Sequence, residues 1–423
     1  MVRSDKQISS LLAACCMAAL AACGGGGGGG AAAPAPAPVP VPVPVPVPTP
    51  APVTSDFGGA VLGKVARSGV SGTWGYTAPD GVRYAIMGTA KGVLVLDLRD
   101  SVNPRVVDEI DGPTNTTSPG IYWREMRVYG HYAYIVSELT NVRPGVMILD
   151  LSGLPASVRF VKSVLPRDGD PTAHTIDIDT VRGLMYLQRD LSSPPPTSPA
   201  PVAQFDVPDG MGRHSDPGEH ATHVADKGSI EIYDIKTDPE TPRYLTTFNV
   251  ARNVHDMTAV GDFVYVAEGD ANTFSVWDVK NVATPKLVTR WPATGYAHNI
   301  WPTGAGTHVV TTEEIPTGLP ARVWRLNGSA APEQVSSFKI GTGTPHNVIM
   351  EGNWAYLSHY SEGAAVVDLS NPAMPRVVAQ VDTNPATGPA LNGCWGVYKF
   401  PGTPLMMCSD ITTGFHLIGI TGQ

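Results

Sequence analysis

Several scarce or missing features of this 423-residue sequence exclude broad classes of function. Basic residues are scarce, since 29 Lys and Arg stand against 38 Asp and Glu and form no cluster. This balance argues against nucleic acid or an anionic membrane face as a partner. The Gly-x-Ser-x-Gly and His-Glu-x-x-His motifs are missing, as are the glycine-rich loops that bind phosphates or dinucleotides. The sequence therefore gives little support to nucleophilic or nucleotide-dependent catalysis.

Cysteine is also scarce, and three of the five cysteines lie within the first 23 residues. After a basic start, a short apolar segment over residues 8–20 ends in Leu20-Ala21-Ala22-Cys23. This is the pattern of a secretory signal that ends at a lipid-modified cysteine, and it is too short to span a bilayer. Cys15 follows the same three residue types but leaves almost no apolar stretch before it. We predict a lipoprotein signal peptide over residues 1–22 and a membrane anchor at Cys23.

Residues 23–55 have the composition of a linker. Seven glycines occupy residues 24–30, and every second residue from 34 to 52 is proline. Alternating proline favours an extended polyproline helix, which over this stretch would reach roughly 60 Å. Such a linker can hold a globular domain away from the membrane that bears the lipid. The predicted location is the bacterial cell envelope, lipid-anchored to a membrane and either periplasmic or exposed at the surface.

The remaining chain contains a recurring pattern: a strand-like apolar run, an aspartate at its end, a short turn, and then proline with a basic residue. Self-similarity at a nearly constant period is typical of a propeller or solenoid. The aspartates precede turns, where their side chains can accept hydrogen bonds from backbone N–H groups, so we predict a structural role for them. The pattern appears as Asp97 with Pro104-Arg105, Asp234 with Pro242-Arg243, Asp278 with Pro285-Lys286, and Asp368 with Pro375-Arg376.

Each repeat divides into four strands, A to D in chain order. The predicted A strands are spaced by 43 to 50 residues, except for one interval of 81 that must hold an insertion, which we place at residues 191–226. The seventh repeat ends after its C strand, and a spare strand at residues 60–65 can complete it and close the ring. We predict an all-β, seven-bladed β-propeller over residues 56–423. Its A strands should begin at Trp74, Arg124, His174, His255, His298, His346 and Trp395.

Five segments of the chain resemble the LVIVD-repeat β-propellers, in particular those of the choice-of-anchor B type with a lipoprotein anchor. The resemblance covers essentially everything from residue 56 onward. It implies the propeller fold and anchoring at a surface, and it implies no common activity. The segments are Gly72–Tyr76, Trp123–Val128, Ala297–Ile300, His346–Tyr356 and Asn392–Gly396.

Four of the seven predicted A strands open with histidine, and several B strands end in carboxylates. In a propeller strand A is innermost, and strand B returns antiparallel to it, so these residues should meet at one mouth of the central channel. Neutral imidazole with carboxylate binds zinc, manganese or copper, whereas carboxylate alone favours calcium. The sequence predicts a divalent metal ion without selecting among these four. The predicted ligands are His174, His255, His298, His346, His359, Glu268 and Glu313.

A structural interpretation of these positions stays open, because buried histidines and carboxylates can also hydrogen-bond neighbouring strand ends in every blade. Against it, Arg124 and two tryptophans stand where other blades have histidine. His131, His308 and His416 fall near turns on the opposite face or inside a C strand, and we predict structural roles for them. The insertion carries His214, His220 and His223, which more readily fit a solvated loop, or, if ordered, a lid over the mouth.

The two cysteines outside the first 23 residues, Cys394 and Cys408, are predicted to form a disulfide. Cys394 opens the seventh A strand and Cys408 lies near the end of its B partner, so the two lie within bridging distance across one hairpin. In an oxidising compartment, two such cysteines usually pair.

Together these features predict an extracytoplasmic, lipid-anchored propeller that binds an unknown small ligand or protein at its channel mouth, with a metal ion there. The alternative is a metal-dependent hydrolase or lyase that uses a histidine or glutamate of the mouth as general base. An enzyme needs an open coordination position that faces a pocket, whereas a closed set of protein ligands indicates a structural ion.

Overall fold

The computed structural model of the chain describes residues 57–114, 123–190, 228–251 and 253–422, which all lie within the unit Val47–Gln423. The predicted signal peptide, Cys23 with its linker, and the insertion at residues 191–226 lie outside the described residues. Secondary structure in the described residues is entirely β. None of these residues form a helix long and apolar enough to cross a membrane.

Short runs of β-branched and aromatic residues, bounded by glycine, proline, asparagine or aspartate, form 28 strands in the described residues. In chain order they are β1 (Gly58–Ala66), β2 (Val70–Thr77), β3 (Arg83–Thr89), β4 (Gly92–Asp97), β5 (Arg105–Asp111), β6 (Arg124–Tyr129), β7 (Tyr132–Ser137), β8 (Val146–Asp150), β9 (Arg159–Val164), β10 (Ile176–Asp179), β11 (Leu184–Asp190), β12 (Gly228–Asp234), β13 (Arg243–Asn249), β14 (Asp256–Val260), β15 (Phe263–Ala267), β16 (Thr273–Asp278), β17 (Lys286–Pro292), β18 (Ala297–Pro302), β19 (His308–Glu313), β20 (Ala321–Asn327), β21 (Ala330–Phe338), β22 (Val348–Glu351), β23 (Trp354–Ser358), β24 (Ala364–Asp368), β25 (Arg376–Val381), β26 (Cys394–Lys399), β27 (Leu405–Asp410) and β28 (Gly414–Thr421).

These strands form seven antiparallel sheets of four strands each. Six sheets consist of four consecutive strands, and we number them blades 1 to 6, from β2–β5 to β22–β25. Blade 7 has the order β1-β28-β27-β26, so the first strand of the described chain supplies its outer edge. The prediction of a seven-bladed propeller closed by an N-terminal strand is therefore confirmed, although that strand is longer than predicted.

Apolar side chains fill the spaces between neighbouring blades. Seven hydrophobic clusters each combine residues of two adjacent blades. Ile86 of blade 1 shares a cluster with Ile135 of blade 2, and Ile230 of blade 3 shares one with Val266 of blade 4. The A strands contact one another in a closed circle, β2-β6-β10-β14-β18-β22-β26 and back to β2. This circle encloses the central channel.

The turns between strands C and D have the predicted chemistry. In five blades the aspartate that ends strand C accepts a hydrogen bond of 2.8–2.9 Å from the backbone N–H two residues later. Each of these aspartates lies opposite the basic residue that opens strand D, as Asp234 lies opposite Arg243 at 2.9 Å. The repeat is therefore a local unit in which one side chain caps the turn and, in four of the five blades, also pairs with the basic residue across it. The five aspartates are Asp97, Asp150, Asp234, Asp278 and Asp368.

The predicted start of the first A strand is wrong. Strand β2 begins at Val70, and Trp74 lies inside it, with the guanidinium of Arg127 4.2 Å from its ring centroid. The small residues Ser71 and Gly72 occupy the beginning of this strand, so no bulky side chain marks it in the sequence. Elsewhere the error is slight, since His255 directly precedes β14.

Candidate metal centre

Four histidines lie side by side at one mouth of the channel. The ring centroids of His174 and His255 are 4.4 Å apart, those of His255 and His298 are 4.2 Å apart, and those of His298 and His346 are 4.1 Å apart. They come from blades 3, 4, 5 and 6, because each sits at the start of an A strand. The structure thus brings together the four imidazoles that the sequence selects.

Two tryptophans extend this row, and we call the six residues together the mouth arc. His346 lies 4.8 Å from Trp395 of blade 7, which stacks on Trp123 at 5.4 Å and 12°. Trp123 directly precedes β6 and lies where other blades have histidine. The next residue, Arg124, does not face the mouth, because its side chain donates to the backbone carbonyls of Thr89 and Gly92 in blade 1. The mouth arc consists of Trp123, Trp395, His346, His298, His255 and His174.

Backbone carbonyls fix the tautomers of two imidazoles. Nδ1 of His255 lies 3.0 Å from the carbonyl oxygen of His298, and Nδ1 of His346 lies 2.6 Å from that of Trp395. A carbonyl oxygen only accepts, so each Nδ1 carries the hydrogen and each Nε2 is left as the acceptor or ligand atom. This arrangement, a backbone carbonyl that orients an imidazole, is common behind metal-binding histidines.

Glu314 completes a cluster with these histidines. One ligand atom each of His255, His298 and Glu314 lie within 4.8 Å of one another. The carboxylate oxygens of Glu314 lie 3.8 Å from Nε2 of His298 and 3.8 Å from Nε2 of His346, and the Tyr360 hydroxyl donates to Oε1 at 2.5 Å. Burial raises the pKa of Glu314 to about 7, although the Tyr360 hydrogen bond opposes the shift.

The accessible end of the mouth arc is an ion pair. Nδ1 of His174 lies 2.6 Å from Oε1 of Glu138, and these side chains are 14% and 36% exposed. Burial by itself would lower the pKa of His174, but the Glu138 hydrogen bond and the charges of Glu138, Glu125 and Asp256 outweigh it and raise the pKa to about 9. At neutral pH His174 is therefore a cation held by Glu138.

The two glutamates that the sequence selects lie outside this cluster. Arg290 donates to Glu268 at 2.7 and 2.8 Å, and the hydroxyls of Thr273 and Ser275 also donate to it. Glu313 pairs with Arg322 and accepts the backbone N–H of Gly295. Both carboxylates are fully buried in ion pairs with a C or D strand of their own blade, Glu268 with Arg290 of β17 and Glu313 with Arg322 of β20. Their geometry is that of blade anchors.

His359 occupies the corresponding position in blade 6, directly after β23, and it is also outside the cluster. The side chain is buried, and neither ring nitrogen has a hydrogen-bond partner among the described residues. The backbone N–H groups of Thr342 and Gly343 donate to Glu362 instead. Burial lowers the pKa of His359 to about 4, so the imidazole is neutral at physiological pH.

At this end of strand B the residue that reaches the mouth arc directly follows the one that the sequence selects, because consecutive side chains of an extended chain point to opposite sides. Glu313 pairs with Arg322 inside its blade, whereas Glu314 and Tyr360, which directly follow Glu313 and His359, contact the mouth arc. Both faces of these strands are buried, so no alternation of polar and apolar residues marks the inward side. The adjacent pair Glu313-Glu314 marks this strand end as a carboxylate position in the sequence, but the sequence does not indicate which of the two carboxylates faces the mouth.

Beneath the imidazoles the channel contains two small polar cavities. The one lined by His255, His298 and Asp256 has a volume of about 10 Å³ and the second a volume of about 20 Å³. A single water needs about 10–15 Å³. Arg127 lines the second cavity and pairs with Asp177 at 2.6 Å. Each cavity is therefore close to the size that a single water occupies.

The structure also gives the positions of the predicted disulfide and of two further histidines. Cys394 and Cys408 form the predicted disulfide, with Cα atoms 5.8 Å apart, between β26 and β27. His131 lies in the A–B turn of blade 2, at the face opposite the mouth, and His416 lies inside β28. The predicted anchor Cys23 and the histidines of the insertion lie outside the described residues.

Comparison with known proteins agrees with the fold. Residues 251–291 and 342–383 match the LVIVD repeat. The first segment spans blade 4 and the second spans blade 6, so one repeat corresponds to one blade. No curated protein matches the chain. The fold and these matches together define a seven-bladed propeller that contains LVIVD repeats.

Proposed function

We propose that this chain is an extracytoplasmic, lipid-anchored propeller of the choice-of-anchor B type that acts as a binding module. In this proposal a divalent metal ion sits at the channel mouth, and a small ligand or a protein is recognised there. Cys23 carries the lipid that attaches the chain to a membrane of the cell envelope. Propellers present loops around one channel mouth, a common arrangement for binding other molecules.

One observation carries the metal proposal: two imidazoles and a carboxylate from two blades converge within 4.8 Å at the mouth. His255 starts β14 of blade 4, whereas His298 and Glu314 belong to blade 5. Imidazole with carboxylate is a common ligand set for divalent ions. An ion shared by these residues would join two blades.

Burial favours a binding module over the alternative of a hydrolase or lyase. His255, His298 and Glu314 are only 6%, 2% and 1% exposed. The cavity beside the imidazoles measures about 10 Å³, which is the size of about one water and far smaller than a substrate pocket. A general base beside the ion would need such a pocket.

Elemental analysis of the protein purified without chelators tests the proposal. We expect about one equivalent of a divalent metal ion in the wild-type protein and none in a His298→Gln, Glu314→Gln double variant. The variant should also lose the rise in melting temperature that added metal gives, because a ligand that binds only the folded state stabilises it.

The matched control is His131→Gln, which alters a histidine on the opposite face that is 45% exposed. Its metal content should equal that of the wild type. If the wild-type protein contains no metal and its melting temperature ignores zinc, manganese, copper and calcium, the histidines of the mouth arc have a structural role and the metal proposal is wrong.

A further inference from the structure

The donor atoms of the cluster at the mouth are spaced nearly closely enough to share one ion. The 3.8 Å between Nε2 of His298 and Oε2 of Glu314 is longer than a hydrogen bond. Two donor atoms that bind one tetrahedral zinc ion lie about 3.4 Å apart. A small movement of the Glu314 side chain would therefore place both atoms on a common ion.

The atoms around this position are oriented for nitrogen coordination. The hydrogen bond from Nδ1 of His255 to the His298 carbonyl leaves Nε2 of His255 as its ligand atom. Two imidazole nitrogens with one carboxylate oxygen suit zinc and copper, whereas calcium takes six to eight oxygen atoms. The charge and atom types thus favour a transition metal over calcium.

Tyr360 holds the carboxylate in place. Its hydroxyl donates to Oε1 of Glu314 at 2.5 Å, which leaves Oε2 as the oxygen that faces His298. The Tyr360 ring packs edge-on against His346 at 4.6 Å, and the residue is completely buried. Its position is therefore set by packing and does not depend on an ion.

We infer that His255, His298 and Glu314 bind a transition metal ion of the zinc class through two Nε2 atoms and Oε2, and that Tyr360 is a positioning residue for this site. His255 and His298 also line a cavity of about one water's size, which could supply a water to an ion held by these residues. This inference rests on the proposed function, because it specifies the ion that the proposal places at the mouth.

Calorimetric titration of the full chain after removal of bound metal tests the inference separately from the proposed function. We expect zinc to bind with one-to-one stoichiometry, and excess calcium not to displace it. Tyr360→Phe should bind zinc about 10–100-fold more weakly, as is typical when the partner of a ligating group is removed. The unfolding midpoint of the metal-free variant is measured beside it, because a purely structural role would change that midpoint and leave zinc affinity unchanged.

Each outcome decides one question. If calcium binds at the mouth and zinc does not, the inference is overturned while the proposed metal-binding module stands. If no ion binds, the proposed function fails together with the inference. If Tyr360→Phe binds zinc as tightly as the wild type, the positioning role is wrong. His131→Gln is the control that should bind zinc unchanged. Where a variant does not fold, the metal preference of the wild-type protein still decides the ion class.

Discussion

Neighbouring residues of identical chemistry have different environments in this protein. Glu313 and Glu314 are both buried, but Glu313 meets Arg322 inside blade 5 and Glu314 meets imidazoles at the mouth. Burial raises the pKa of both side chains, and for Glu314 the pKa reaches about 7. The difference between an anchor and a candidate ligand therefore comes from one step along a strand.

Two buried histidines make the fold sensitive to acid. Burial lowers the pKa of His359 to about 4 and, helped by Lys64, lowers that of His416 to about 4 as well. The unfolded chain protonates these residues near pH 6.5, so between about pH 6.5 and 4 it binds more protons than the folded chain. The contribution of these two histidines to stability should be constant above this window and fall as the pH decreases through it, by up to about 1.4 kcal/mol per pKa unit for each histidine.

The measurement is urea unfolding of metal-free protein at several pH values between 4 and 7. We expect the His359→Gln, His416→Gln double variant to lose less stability over this range than the wild type. Glu125 and Glu314, whose pKa values burial raises to about 7, contribute the opposite slope in both proteins and cancel in the comparison. His131→Gln should behave as the wild type. An unchanged slope in the double variant would show that these imidazoles are protonated equally in both states.

At the scale of strands and turns, the sequence predicts what depends on local chemistry. The aspartate, proline and basic residue of each repeat act within one C–D turn, as Asp234 and Arg243 do, so their spacing suffices to count blades. The disulfide between Cys394 and Cys408 is predictable for the same reason, because both cysteines belong to one hairpin. The side of the strand that faces the channel depends on packing between blades, which no local pattern records, and this is why Glu314 and Tyr360 escape prediction.

Strand β1 should be required for a closed ring. It pairs with β28 from Gly58 opposite Thr421 to Ala66 opposite Gly414, and its removal would expose the edge of β28. We expect deletion of residues 57–66 to lower the melting temperature and to cause association, measured by calorimetry and light scattering. Gly63→Val should act in the same direction, because a Cβ at residue 63 would lie 2.3 Å from the Ser101 carbonyl oxygen.

Deletion of residues 24–52 is the matched control for strand β1, because it removes a longer segment that precedes the strand. This variant should melt at the wild-type temperature and stay monomeric. A monomeric protein of wild-type stability after deletion of residues 57–66 would mean that blade 7 holds without its outer strand.

At the scale of the whole molecule, the closing blade receives two kinds of reinforcement. Blade 7 combines both ends of the described chain, since β1 pairs with β28, and its inner strands β26 and β27 carry the disulfide. The hydrophobic cluster between blades 7 and 1 is formed by side chains such as Phe415 and Leu96.

The proposed anchor predicts where the chain is found in the cell. We expect the full-length protein in the membrane fraction, and Cys23→Ala in the soluble extracytoplasmic fraction or as an unprocessed precursor. Acyl chains contribute about 0.8 kcal/mol per buried CH₂ group, and stable attachment takes two signals, such as two chains on one residue. Cys15→Ala is the control, because Cys15 leaves too short an apolar segment before it, and this variant should fractionate as the wild type. Mass spectrometry of the mature N-terminus should find the lipid on Cys23. A wild-type protein without lipid, or a Cys23→Ala variant that is processed and still membrane-bound, would show that another device attaches this propeller.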